Sequence, residues 1–317
     1  MKTNQFTALV AVAETGSIRS AAKFVGLTQA AITRTLRDLE QQQGVELLER
    51  THTGVRFTEA GKSLLHHARL ILSEIEKAKA DLNLIRSGQA ERLRIAVSPF
   101  INFSFLPECL SLYQQEYPHV FLEVFEGLHG ISVPQLRDGY LDFAVIQASN
   151  FITENEFSIE PLFSYQAHVV GRKDHPLRHS SSIDELNAMK WLANYPPSLH
   201  NTFISDLNRE FRLSPPPSHV VSVHSAGILL PVLLQTDSLT VLPDLLLKSE
   251  CFAGAVAPLS AFKGSKSRIL GVVSRRGNVR SKAANAFIAV LKQVIKQHAR
   301  KPNSPFSEML SPKDLFF

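Results

Sequence analysis

Two short helical patterns separated by only Gly26-Leu27 constrain this chain more than any other feature. Residues 17–25 read SIRSAAKFV and residues 28–43 read TQAAITRTLRDLEQQQ. Ser17 and Thr28 each stand where a side-chain oxygen can accept the free N–H groups of a first helical turn. Gly26 and Gly44 stand where a left-handed residue closes a helix. Two capped helices joined through a glycine turn predict a helix-turn-helix. Before them, Phe6, Leu9, Val10 and Ala13 follow i, i+3, i+4, i+7 and predict a first helix, with Asn4 as its cap and its end near Gly16. Ala21, Ala22, Val25, Leu27, Ile32, Leu36 and Leu39 form the expected small core. VELLERTHTGVRFT then reads as two short strands around Thr53-Gly54, a wing.

The same stretch carries a chemistry. From Ser17 to Arg37 there are four cations, Arg19, Lys23, Arg34 and Arg37, and no acidic residue. A helix laid on DNA needs cations for phosphates and short polar side chains near its N-terminus for base edges. Thr28, Gln29 and Thr33 are the expected base readers, since glutamine can pair with adenine and threonine offers a hydroxyl and a methyl. Arg34 and Arg37, one turn on, suit phosphate or guanine. Ala30 is small enough to let the backbone approach the groove. Ser17 and Arg19 open the preceding helix, and Arg50 and Arg56 flank the wing, facing the neighbouring backbone. A single arginine is most simply a solvated charge; the cluster on a helix-turn-helix points to DNA.

FTALVAVAETGSIRSAAKFVGLTQAAITRTLRDLEQQQGVELLERTHTGVRFTEAG resembles the N-terminal domain of LysR-type transcriptional regulators. The resemblance rests on AETGSIRSAA, the LTQ-A-A-I-T-R helix start and the L-x-x-LE helix ending. Members usually carry proline or serine where this chain has Ala30, serine where it has Thr33, and phenylalanine where it has Leu48. The resemblance spans roughly residues 3 to 298 and implies an α/β architecture: a winged helix-turn-helix (1–57), a linker and dimerisation helix (58–90), and an effector-binding domain (91–299). That domain would consist of two Rossmann-like subdomains similar to a type 2 periplasmic binding protein, about 92–162 with 268–298, and about 163–267. A C-terminal tail follows (300–317).

Thr58 can cap a long helix in which Leu64, Ala68, Ile71, Ile75, Ala78, Leu82 and Ile85 recur at alternating four- and three-residue steps. A narrow seven-residue apolar stripe suits a partner helix better than the broad face of a globular domain, so a homodimer is expected. The family adds a tetramer. Beyond Glu91, short apolar strands (LRIAVS, VFLEVFE, DFAVIQ, HVVGR, KWLAN, HVVSV, SLTVLP, RILGVVS) alternate with helical runs, which predicts a mostly parallel sheet covered on both faces. The proline- and serine-bearing tail from Arg300 lacks periodicity and is expected to pack loosely.

Sheets of this type bind ligands beyond strand C-termini and near helix N-termini. The strand ends bring forward Ser98, Phe100, Phe103, Gly127, Leu128, His129, Gln147, Asn194, Tyr195, His224 and Ser225 as candidate effector contacts. Exposed amides at Ser98, Gly127 and His129 could hold a carboxylate, and Phe100, Phe103 and Tyr195 could flank an apolar or aromatic body. The blander reading makes each a helix cap or core aromatic, Ser225 above all. The expected effector is a small organic acid, with an aromatic acid among the candidates.

Composition bounds the alternatives. The net charge of +5 permits an anionic partner. Cys109 and Cys251 are too few for a disulfide framework and suit a reducing cytoplasm; a redox-sensing regulator using both is the alternative within the same family. The apolar run after Met1-Lys2 is near the lower limit for a signal core, and its helical spacing favours the first helix, so a cytoplasmic protein is expected. No catalytic residues, metal or cofactor are expected: His66-His67 lacks metal-ligand spacing, and G-x-S-x-G, Walker and C-x-x-C motifs are absent. A solute-binding protein or an enzyme on the two-lobed fold would need an export signal or a catalytic set.

Overall fold

The computed structural model describes residues 1–51, 54–86, 91–149, 152–195, 200–249, 252–301, 304–307, 310 and 315–317. Contacts divide the chain into two units, Met1–Gly88 with Arg137–Tyr140, and Gln89–Leu136 with Leu141–Phe317.

In the first unit, α1 (Thr3–Thr15), α2 (Ile18–Phe24) and α3 (Gln29–Gln43) are followed by strands β1 (Leu48–Thr51) and β2 (Gly54–Phe57) and by α4 (Glu59–Arg86). The caps follow from the side chains. Ser17 Oγ accepts the Ser20 N–H at 3.1 Å, and Thr28 Oγ1 accepts the Ala31 N–H at 3.2 Å. Thr58 Oγ1 accepts the Gly61 N–H at 2.9 Å and starts α4. Gly26 and Gly44 sit at φ 69° and 67°, a region costly for any residue with a Cβ. Helix α1 begins earlier than Asn4 would set it: Gln5 Oε1 accepts the Lys2 N–H at 2.8 Å, so Asn4 lies inside the helix. The core contains Phe6, Leu9, Val12, Ala21, Ile32 and Leu39. Leu27, expected in that core, is instead 54% exposed, because the turn that frees the α3 N-terminus carries it outward.

Strands β1 and β2 pair antiparallel, Arg50 opposite Val55. Glu40 near the end of α3 accepts the N–H groups of Leu47 and Leu48 at 2.8 and 3.1 Å, tying the ribbon to that helix. In α4, Leu64 and the fully buried Ala68 pack on the helical core, and Arg69 pairs with Glu14 of α1. The first turns of the expected dimer seam therefore serve their own unit. Ile71 is 41% and Leu82 63% exposed, while the side chain of Ile85 lies outside the described residues.

The second unit has two lobes. Strands β3 (Glu91–Val97), β4 (Val120–Glu126), β5 (Phe143–Gln147), β6 (Phe157–Tyr165) and, late in the chain, β12 (Arg268–Arg275) form one sheet in the order β4-β3-β5-β12-β6. β3 runs parallel to β4 and β5, whereas β12 is antiparallel to β5 and β6. Helices α5 (Pro99–Asn102), α6 (Leu106–Glu116), α7 (His129–Arg137) and α12 (Lys282–Arg300) belong to this lobe. Its core includes Leu93, Ile95, Phe105, Phe143, Phe163 and Phe287.

The other lobe holds β7 (Ala167–Arg172), β8 (Trp191–Ala193), β9 (Val220–Ser222), β10 (Thr240–Pro243) and β11 (Val256–Pro258), with α8 (Ile183–Ala188), α9 (His200–Phe211), α10 (Ala226–Gln235) and α11 (Asp244–Leu247). β10 and β11 flank β7 antiparallel, β8 pairs with β9 in parallel, and a bridge from Trp191 to Leu239 joins the two ribbons. The sheets are thus mixed, not mostly parallel, because the chain crosses between lobes and returns. β6 leaves the first lobe at Tyr165 and β12 re-enters it at Arg268, directly opposite Tyr165. Ser265 pins the crossings together: its Oγ accepts the Ala167 N–H at 2.9 Å and its own N–H donates to Ala167 O at 2.7 Å.

The tail differs from expectation. Phe306 and Leu310 are buried, Leu315 bridges to Phe163, and the Phe316 N–H donates to Leu162 O at 3.0 Å. β6 is an edge strand, and these contacts cover its open hydrogen-bonding groups.

Candidate DNA-recognition surface and effector cleft

Helix α3 presents two faces. Ile32, Leu36 and Leu39 are buried. Gln29, Ala30, Thr33, Arg34 and Arg37 line a single open groove on the other side, extended by Asp38 and Gln41. Their spacing places them along one stripe of the helix. Thr33 Oγ1 donates to Gln29 O at 2.8 Å, which turns its methyl group outward from that bond. Thr28 is exposed beside them with its Oγ engaged as the cap. Ser17 caps α2, and Arg19 and Arg56 are exposed. The side chain of Arg50 lies outside the described residues.

The second candidate site lies between the lobes of the second unit. An inner cleft of about 140 Å³ collects Ser98, Phe100, Gly127, Leu128, His129, Gln147, Asn194 and Tyr195, eight of the eleven residues expected from strand ends. Phe103, His224 and Ser225 lie outside it. Phe103 packs edge-on against Phe252, Ser225 Oγ accepts the Gly227 N–H as the cap of α10, and His224 is exposed. Tyr165, Arg268 and an apolar wall containing Leu229, Val241, Leu246 and Phe252 complete the cleft. A second, more open compartment shares His129, Gln147, Tyr195 and Arg268 with the inner one and adds Ser149, Thr202, Ser205 and Lys266.

The polar groups of the shared wall are already arranged. Tyr165 donates its hydroxyl to Gln147 Oε1 at 3.1 Å, and Tyr195 donates to Asp206 at 3.3 Å. Burial pushes the Tyr165 phenol above its ordinary range and Tyr195 up to about 12, so both are neutral donors. His129 Nε2 lies 2.6 Å from Gln147 O. Burial holds this imidazole below its ordinary value, although the carbonyl opposes that shift. Arg268 pairs with Glu210 at 2.7 Å, with side chains 17% and 9% exposed. Burial opposes the Arg268 charge, but the hydrogen bond to Glu210 and the electrostatic attraction of Tyr165, Glu210 and Tyr195 together outweigh it and hold the guanidinium protonated.

The expected exposed amides at Ser98 and Gly127 are not exposed. The Ser98 N–H donates to Val145 O at 2.8 Å and the Gly127 N–H to Val97 O at 2.7 Å. A Cβ at Gly127 would stand 2.7 Å from the Val97 carbonyl carbon, so this glycine permits a close crossing of two chain segments. These two amides are therefore engaged with neighbouring strands.

Cys109 is fully buried in the first lobe, and burial with the nearby Glu108 charge raises its thiol to about 12. Such a thiol lacks the exposure and thiolate character of a reactive cysteine. Cys251 lies outside the described residues. Among the described residues, no group of three metal-binding side chains occurs, and no helix is long and apolar enough to cross a membrane.

A winged helix-turn-helix and a separate two-lobed unit with a cleft define a DNA-binding regulator that carries a small-molecule sensor. Residues 3–62 match the bacterial regulatory helix-turn-helix protein, lysR family, and residues 86–296 match the LysR substrate binding domain. The chain belongs to the LysR family of transcriptional regulators, with an effector-binding domain behind its DNA-binding domain. Among its relatives, the HTH-type transcriptional regulator TdcA of Escherichia coli (strain K12) is 28% identical over 249 residues, 78% of this chain and 75% of that protein. MetR of Haemophilus influenzae is 34% identical over 169 residues, 53% of this chain and 54% of MetR. The fold is that of CbnR, a LysR family regulator: the crystal structure matches with a TM-score of 0.57 at 18% identity, covering 93% of this chain and 99% of CbnR. Full-length CbnR complexed with its target DNA gives a TM-score of 0.56 at 19% identity, covering 93% and 100%.

Proposed function

We propose that α3 is the recognition helix and that promoter contact is set by a small organic acid bound between the lobes. The observation that carries this is the single groove lined by Gln29, Ala30, Thr33, Arg34 and Arg37. Thr28, Gln29 and Thr33 read base edges, and Arg34, Arg37, Arg19 and the wing arginines Arg50 and Arg56 hold the backbone; Ser17 orients α2. CbnR was crystallised with its target DNA, and the shared fold supports the same use here. Residues 1–57 act as the DNA-binding domain, 58–90 as the dimerisation helix, 91–299 as the sensor and 300–317 as its tail. The protein works in the cytoplasm as a homodimer that assembles to a tetramer.

The effector shifts DNA contact by binding one arrangement of the assembly better than another. Ser98, Phe100, His129, Gln147, Asn194 and Tyr195 are its contacts. The test is base selection from a randomised operator pool. Gln29→Ala is expected to relax the preference at one base pair per half-site and to cost about 1–3 kcal/mol at that position. An unchanged selected operator would remove Gln29 from the readout.

A further inference from the structure

Among the described residues, eight buried side-chain polar atoms have no hydrogen-bond partner. Four of them, Ser98 Oγ, Ser149 Oγ, Asn194 Oδ1 and Arg268 Nε, belong to residues lining the two compartments of the cleft. Buried polar groups are almost always paired in folded proteins, so a concentration of unpaired ones in one cavity marks what a ligand supplies.

Three of these atoms, those of Ser98, Asn194 and Arg268, state a requirement. Arg268 Nε–H needs an acceptor, while another nitrogen of the same guanidinium stays on Glu210. Gln147 Oε1 takes the Tyr165 hydroxyl, which leaves the Gln147 amide nitrogen as a second donor on the same wall. An acceptor facing both is best a carboxylate. Charge agrees: the outer compartment holds Arg209, Arg268 and Lys266 against Asp206 and Glu210, a net of one positive charge.

Asn194 Oδ1 asks for the opposite, a donor. A ligand ammonium and a ligand hydroxyl both donate, but no aspartate or glutamate is found among the described residues that line the inner compartment. An ammonium buried there would find no carboxylate in the wall itself to pair with, which is costly, whereas a hydroxyl needs none. Ser98 Oγ, which makes no cap bond to α5, can pair with either end of such a hydroxyl. Apart from His129 and the two tyrosines, Tyr165 and Tyr195, the remaining wall is apolar, and the inner volume of about 140 Å³ is close to the roughly 150 Å³ apolar cavity that accepts benzene.

We propose that the effector is a hydroxy-substituted monocarboxylic acid with one compact apolar body of about benzene's size. Its body lies against Leu229, Leu246 and Phe252, its hydroxyl meets Asn194 and Ser98, and its carboxylate meets Arg268 and Gln147. This rests on the reading that the cleft is the effector site, and it deepens that reading by naming the ligand class.

The test is calorimetric titration of the purified full chain with four probes: mandelate, phenylacetate (no hydroxyl), phenylglycine (ammonium for hydroxyl) and mandelamide (no charge). Mandelate is expected to bind at least tenfold more tightly than each of the other three. Asn194→Ala should bring mandelate down to the level of phenylacetate and leave phenylacetate unchanged. Phenylacetate or phenylglycine binding as well as mandelate overturns the proposal, and so does an absence of binding by all four. The cleft reading fails separately: if mandelate shows the expected order and Leu229→Trp, which fills the inner compartment, leaves its affinity unaltered, the ligand sits elsewhere. Should that variant not fold, the order of the four probes on the wild-type protein still decides the ligand class.

Discussion

Glu126 Oε1 accepts the backbone N–H of Ala226 at 2.8 Å. Glu126 ends β4 in one lobe and Ala226 begins α10 in the other, so this charge-assisted bond ties the lobes beside the cleft, as the Arg268–Glu210 pair does. The carboxylate also lies at the positive end of α10, which strengthens the tie. Gly127, which follows Glu126, and Ala226 itself line the inner compartment. A ligand that moves the lobes must therefore strain or release this bond.

Glu126→Ala is expected to cost about 1 kcal/mol, a fall of about 2–4 °C in the melting temperature of a domain this size. It should also raise amide exchange in the first turn of α10. Unchanged exchange at residues 226–229 would show that the bond holds nothing together.

His129 gives the cleft a pH dependence. Burial sets its folded value below the ordinary 6.5, so the unfolded chain binds the proton more readily. Its stabilising contribution is complete above about pH 6.5 and diminishes as the pH falls from there toward the lower folded value. Chemical denaturation at about pH 7.5 and about pH 5.5 should show lower stability in acid, and His129→Gln should narrow the difference. An equal difference in both proteins would assign it to other groups.

The exposed stretch of α4 is expected to carry dimerisation. Ile71 and Leu82 stay open to solvent within the chain, whereas Leu64 and Ala68 are used by the helical core. Ile71→Lys with Leu82→Lys should shift sedimentation toward monomer at micromolar concentration while the helical content of the chain persists. Loss of folding together with dimerisation would instead mean that these side chains pack within their own unit.

Much of the first unit is legible in the sequence because its signals are local. A cap, a glycine at positive φ and a period of 3.6 all act within a few residues, which is why Ser17, Gly26, Thr28 and Gly44 can be read directly. Leu27 departs from its expected place because periodicity reports spacing and not which way a turn leaves the helix. In the second unit, strand ends supply most of the cleft lining, since ligand positions in α/β sheets follow from strand direction. Tyr165 and Arg268 escape such a reading because they face each other across β6 and β12, about a hundred residues apart in the chain. The expected free amides at Ser98 and Gly127 fail for a similar reason: their acceptors, Val145 and Val97, come from neighbouring strands. The tail escapes because a β-bridge between Leu315 and Phe163 leaves no periodic trace.

On the proposed reading, α3 holds promoter DNA through the arginines of its groove. The most direct test is the salt dependence of binding to the DNA upstream of the protein's own gene, for the wild type and for Arg34→Ala with Arg37→Ala. The wild-type affinity should fall linearly with salt on logarithmic axes. The double variant should bind more weakly, with a slope reduced by about 1 for each phosphate that is no longer neutralised. Equal slopes and equal affinities for the two proteins would contradict the assignment of α3 as the DNA-contacting helix.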